Sequence, residues 1–268
     1  MLIVTRIYEQ LEQGATVPLK CRLDDGELVV VKYPKNRCGT QVLINEIVGA
    51  ALQDKMGIRI PDHGLCYLSK DVIESFIEND ENSEIGESDI GSQNAGVCVY
   101  SKLIRGTTLT SELLRKTNKR MGIENVLVYD CFTNNTDRHE GNAIISEYFE
   151  VYAIDNSHII DGKHFENDKY MQLNLTISLD SVLDSEFYTD YFEIVPFSKI
   201  RLNKAINNLK GIDLNTLLRE TFDVIPQEWL DNVLLDYLQY IRDILLWRQG
   251  QLDEIRSAIM LRRSQYDK

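Results

Sequence analysis

The run TVPLKCRLDDGELVVVKY, Thr16 to Tyr33, sets two apolar, β-branched stretches on either side of Asp-Gly, and soon afterwards the apolar period changes in TQVLINEIVGAALQDKM, Thr40 to Met56. Asp-Gly between such stretches signals a β-hairpin. In the second run Val42, Leu43, Ile47, Val48, Ala51 and Leu52 recur at helical spacing and Gly57 stops the pattern. Further β-rich sequence follows in DHGLCYLSKDVIESF, Asp62 to Phe76, and in VCVYSKLI, Val97 to Ile104. Hairpin, helix and more strand predict a small antiparallel sheet with one helix over about residues 1–104.

From Thr110 onward the character is mainly helical. GIENVLVYDCF places Ile123, Val126, Leu127 and Asp130 on one face, and the stretch from Pro226 to Arg263 carries Trp229, Val233, Leu234, Tyr237, Ile241, Ile244 and Leu245 at the spacing of one or two amphipathic helices. The fold class expected is α+β and two-lobed, with the second lobe over about residues 105–268. Residues Glu78 to Gly96, ENDENSEIGESDIGSQNAG, are acidic and nearly free of large apolar groups, so a mobile loop is expected there. A cleft between two such lobes is where a ligand is expected.

The formal charge of −13 argues against a broad nucleic-acid surface and against docking on an anionic membrane, while leaving room for a nucleotide bound with a divalent metal. Cys21, Cys38, Cys66, Cys98 and Cys131 are scattered without a metal-binding spacing and are expected to be reduced thiols of a cytoplasmic protein. The opening MLIVTRIYEQ lacks the apolar core of a signal peptide, and no apolar run approaches the roughly 20 residues that span a bilayer.

TNNTDRHEGNAI, Thr133 to Ile144, concentrates amides, acids, an Arg and a His, and YAIDNS follows with Asp155 at the end of a short strand. Phosphoryl transfer requires such groups: a carboxylate for the attacking hydroxyl, then an amide and a second carboxylate for magnesium. It also requires a cation on the nucleotide phosphates, commonly a strand Lys oriented by a Glu on the next helix. Lys32 in LVVVKYP and Glu46 in INEIVGAAL stand in those places. Each residue alone has a plainer explanation as a solvated charge or a turn cap. Their order along the chain is what favours a kinase reading.

TNNTDRHEGNAI with YAIDNS resembles the catalytic and metal-binding segments of the HipA-like kinases, and the DRHxxN core is also the catalytic-loop signature of phosphatidylinositol 3- and 4-kinases. The resemblance continues in GATVPLKCRLDDGELVVVKYP, VLINEIVGAAL, IRIPDHG, VYSKLIRGTTL and IPQEWL, in the order of the smaller HipA-like kinases. It implies a bilobal protein-kinase-like fold with ATP and magnesium as cofactors and a protein Ser/Thr hydroxyl as acceptor. It implies Asp137 as catalytic carboxylate, with His139 bracing its loop, Asn142 and Asp155 as magnesium ligands, and Lys32, paired with Glu46, on the phosphates. Gly14, Ala15 and Thr16 would form the phosphate loop, and Ser101, Lys102 and Leu103 the hinge that meets adenine. Lys32 and Asp155 are then expected to approach across the cleft. Two alternatives stay open: a lipid or small-molecule acceptor on the same fold, and a nucleotide-binding regulator without transfer.

Overall fold

The computed structural model describes residues 1–11, 16–79, 90–117, 122–148, 150–160, 177–233 and 236–267. Its strands are β1 Leu2–Gln10, β2 Leu19–Leu23, β3 Leu28–Lys32, β4 His63–Leu68, β5 Gly96–Lys102, β6 Gly106–Thr108, β7 Ala143–Ser146 and β8 Val151–Ala153. Its helices are α1 Gln41–Lys55, α2 Lys70–Asn79, α3 Ser111–Thr117, α4 Ile123–Thr133, α5 Asp180–Leu183, α6 Glu186–Ile194, α7 Lys199–Lys210, α8 Leu214–Phe222, α9 Gln227–Leu230, α10 Tyr237–Gly250 and α11 Leu252–Ser264. The chain divides into two compact units, Met1–Ile47 with Pro61–Ile104 and Ile225–Leu235, and Val48–Ile60 with Arg105–Val224 and Asp236–Lys268.

In the first unit the expected hairpin is β2 and β3, with Gly26 at φ +89° in its turn. That left-handed conformation is what glycine tolerates. Alternation puts Leu19, Cys21, Leu23, Val29 and Val31 inside and leaves Lys20, Arg22 and Lys32 on the other face. The strand order β1-β2-β3-β5-β4 closes into a barrel because β1 and β4 pair in parallel at Leu2 with Cys66 and Ile3 with Tyr67. Closure removes the sheet edges that would otherwise invite pairing with another chain.

Cys21, Cys66 and Cys98 belong to the barrel core, and burial pushes their thiols up, Cys66 to about 12. Burial does the same to Cys131 on α4. A thiol kept protonated is a poor nucleophile. Cys21, Cys66, Cys98 and Cys131 are therefore expected to resist Ellman's reagent at pH 8 in the native protein and to react only on unfolding, a difference read directly from the absorbance of the released thiolate.

The segment expected as strand through Phe76 divides instead: β4 ends at Leu68 and α2 begins at Lys70, so the first unit carries a second helix. Ser69 caps it by accepting from the Val72 N–H at 3.3 Å. Of the acidic run, residues 80–89 lie outside the described residues, whereas Ile90 is buried in the barrel core and Asn94 donates to the carbonyls of Pro34 and Lys35. The run's C-terminal end is thus packed. Trp229, read as part of a C-terminal helical stripe, sits in α9 within the first unit, fully buried, with its indole N–H on the Val97 carbonyl at 2.9 Å. Glu228 beside it accepts the Val97 N–H at 2.7 Å.

The second unit is mainly helical around α4, which is buried along almost its whole length. Arg248 of α10 donates to the Phe132 and Cys131 carbonyls at 2.6 and 2.7 Å and so satisfies the last turn of α4. A three-stranded sheet, β6-β7-β8, completes the unit. The C-terminal stretch breaks at Asp236, φ +71°, and again between α10 and α11.

Candidate active site

Asn134 ends α4 in the left-handed conformation, φ +54°, and the chain turns at once into the segment Asn135–Asn142. Asn135 builds that turn from its side chain: it donates to Asp130 Oδ1 at 3.0 Å and accepts the Asp137 N–H at 3.2 Å. His139 folds over the short turn Glu140–Asn142, accepting the Gly141 N–H on Nδ1 at 3.0 Å. A Cβ on Gly141 would come within 2.7 Å of the His139 ring, so a larger residue here would push that ring aside.

Asn142 stands immediately before β7, and Ile154 and Asp155 immediately after β8. The two strands are antiparallel with Ala143 opposite Ala153, so the hairpin returns Asp155 to Asn142, and the Ile154 N–H meets the Asn142 carbonyl at 3.1 Å. The ladder thus sets Asn142 beside Ile154, the residue before Asp155. The Asn142 amide nitrogen donates to the Asp137 carbonyl at 2.8 Å, leaving its oxygen end as the one suited to a cation. Asp155 itself adopts φ +61°, unusual for a residue with a side chain. His158 Nε2 lies 3.7 Å from the Asp137 carboxylate.

Beneath this loop lies an ion pair that the motif did not announce. Arg138, fully buried, donates to both oxygens of buried Asp130, at 2.9 and 3.1 Å, and its remaining nitrogen reaches the carbonyls of Asn142 and Ile154 at 2.5 and 2.9 Å. The Tyr188 hydroxyl also donates to Asp130. Burial by itself would pull the Arg138 guanidinium down, but the adjacent carboxylate outweighs it and holds the charge; burial and the same carboxylate push the Tyr188 phenol up. One side chain therefore ties the segment before β7 to the segment after β8. A charge within an apolar helix face at Asp130 is the signal that could have pointed to a buried partner, since an isolated one is prohibitively costly.

In the first unit Lys32 Nζ and Glu46 Oε1 are 2.5 Å apart, each largely buried. Thr16 is buried, and Gly14 and Ala15 lie outside the described residues. Ser101 and Lys102 end β5 and Leu103 follows it, and the N–H groups of Lys102 and Leu103 already donate to Asp62 and Leu28 carbonyls at 2.7 and 3.0 Å.

The oxygen donors of Asn142 and Asp155 suit a hard cation such as magnesium. Among the described residues no group of three or more His, Cys, Asp or Glu side chains converges to hold a metal.

The family model described as HipA-like kinase matches residues 4–239. The chain belongs to the HipA-like kinases. No curated protein matches it. Among solved structures, the Helicobacter pylori proinflammatory kinase CtkA is similar over 96% of each chain, with a TM-score of 0.53 at 12% identity. The Golgi casein kinase with Mn/ADP bound is similar over 100% of this chain and 75% of that one, with a TM-score of 0.54 at 10% identity. Such identities establish the fold alone: this HipA-like kinase has the α+β protein-kinase fold expected from its sequence. Its class is that of a phosphotransferase, which implies a nucleotide and an acceptor as its ligands. No helix among the described residues is long and apolar enough to cross a membrane.

Proposed function

We propose that this HipA-like kinase transfers the γ-phosphoryl group of ATP, with magnesium, to a Ser/Thr hydroxyl of a protein. The observation that supports the proposal is the Arg138 bridge, which holds the Asn142 and Ile154 carbonyls, and with them the segments that carry Asn142 and Asp155, on one guanidinium. Asp137 accepts the acceptor's proton as its oxygen bonds to phosphorus and the bond to ADP breaks. His139 keeps the turn that carries Asp137 and Asn142. Lys32, aligned by Glu46, takes the nucleotide phosphates, with Gly14 to Thr16 assigned as the phosphate loop by the family resemblance. The strand end Ser101 to Leu103 offers carbonyl oxygens to the adenine amino group. Magnesium, held by Asn142 and Asp155 together with the phosphates, would neutralise charge developing on the transferred group.

An anionic lipid headgroup is a poorer acceptor for a chain of net charge −13, because a negatively charged surface would repel it. Family membership favours a protein. Calorimetric titration with a non-hydrolysable ATP analogue tests the nucleotide and metal parts: magnesium is expected to tighten binding about tenfold or more, ~1.4 kcal/mol, in the wild type and not in Asp155→Ala. Equal affinity with and without magnesium in the wild type would remove the metal role from Asp155.

A further inference from the structure

Asp155 holds a backbone conformation that disfavours side chains, φ +61°, and one of its carboxylate oxygens is engaged by its own loop, through the N–H and hydroxyl of Ser157. Something outside the loop must keep it there. The next residue, Asn156, points into the protein interior and is 4% exposed. A buried amide costs stability unless both of its ends are hydrogen-bonded. Here the Tyr129 hydroxyl donates to Asn156 Oδ1 at 2.8 Å, and Asn156 Nδ2 donates to Gln53 Oε1 at 3.0 Å. Tyr129 and Gln53 are themselves fully buried. A Cβ placed on Gly49, one turn before Gln53 on α1, would lie 2.5 Å from Asn156 Cβ and 2.7 Å from the Tyr129 hydroxyl, so α1 approaches the Asn156 side chain as closely as a glycine permits.

We infer that Asn156 is a positioning residue for Asp155, and that it acts through the C-terminal half of α1: Gly49 and Gln53 form the dock that sets the Asp155 carboxylate. An apolar side chain at residue 156 would pack anywhere in the same cavity, whereas an amide with a donor and an acceptor partner has one orientation. The direction of Asp155 is thereby tied to a helix more than a hundred residues away, Gln53 and Asn156 being 103 apart in the chain. The inference rests on the metal role proposed for Asp155 in what it predicts for magnesium, and stands independently in what it predicts for the loop.

The test uses Gln53→Met, which keeps length and packing but removes the acceptor, and Tyr129→Phe, which removes the donor. Hydrogen exchange of the full-length protein reads the loop directly, because the Ile159 N–H donates to the Asn156 carbonyl at 3.2 Å and the Ile160 N–H to the Thr133 carbonyl at 2.7 Å. Both variants are expected to remain folded, to speed exchange at Ile159 and Ile160 about tenfold, and to lose the magnesium-dependent gain in affinity for the ATP analogue while keeping metal-free affinity within about twofold. Folded variants with unchanged exchange at Ile159 and Ile160 and an intact magnesium gain would overturn the inference; should one fail to fold, the other decides. A wild type that binds the analogue no better with magnesium would defeat the proposed function, and the exchange rates alone would then decide whether α1 sets the loop.

Discussion

Asp137→Asn is expected to slow phosphoryl transfer by about 10²–10⁴-fold, the span typical of a lost general base, while nucleotide affinity changes by no more than about twofold. Asparagine preserves the shape of the side chain and cannot accept the acceptor's proton. The loop should survive the change, because Asn142 donates to the main-chain carbonyl of residue 137 and Asn135 accepts its N–H. Single-turnover transfer from labelled ATP, compared with calorimetric nucleotide affinity, separates chemistry from binding. Transfer at the wild-type rate would remove the carboxylate from the mechanism. His139 acts differently: its ring nitrogen accepts the Gly141 N–H, so His139→Ala should disturb the turn and weaken metal-dependent nucleotide binding as well as rate.

Arg138→Met should destabilise the protein by about 3–5 kcal/mol, the cost of stranding a buried partner charge. Asp130 is fully buried and would keep only the Asn135 amide and the Tyr188 hydroxyl. The carbonyls of Asn142 and Ile154 would lose a donor at the same time. Combining Arg138→Met with Asp130→Leu should recover part of the loss, since no charge is then buried alone. Recovery should stay incomplete, because those carbonyls are still short of a partner. Urea denaturation of the two single variants and the double variant measures the coupling; simple additivity would mean that the pair contributes no joint stabilisation. Lysine at residue 138 should not substitute, as a point charge cannot fork onto a carboxylate and reach two carbonyls together.

Much of the architecture was legible because it is local. Asp-Gly between β-branched runs specifies a hairpin, the spacing of Val42 through Leu52 specifies α1, and Gly57, at φ +69°, ends it. Helix α2 carries equally local signals, Ser69 as cap and Val72, Ile73 and Phe76 at helical spacing, but they follow a strand without a break and read in sequence as its continuation. Closure of the barrel left no such trace: it depends on β1 meeting β4 at Leu2 and Ile3, and either pairing edge looks like ordinary strand in sequence.

At the site the division is the same. Residue types and their order determined which groups could serve phosphoryl transfer, because an acid, an amide and a second acid are needed whatever the fold. That Ile154, the residue before Asp155, lies against Asn142 was decided by a ladder between β7 and β8, and Arg138, reaching Asp130 and the carbonyls of Asn142 and Ile154, ties the two segments together. The dock of Asn156 on Gln53 was equally out of reach of the sequence, since it joins segments 103 residues apart. Chemistry is written in side chains, which a sequence states outright; geometry comes from desolvated contacts between distant segments, whose partners only the folded chain selects.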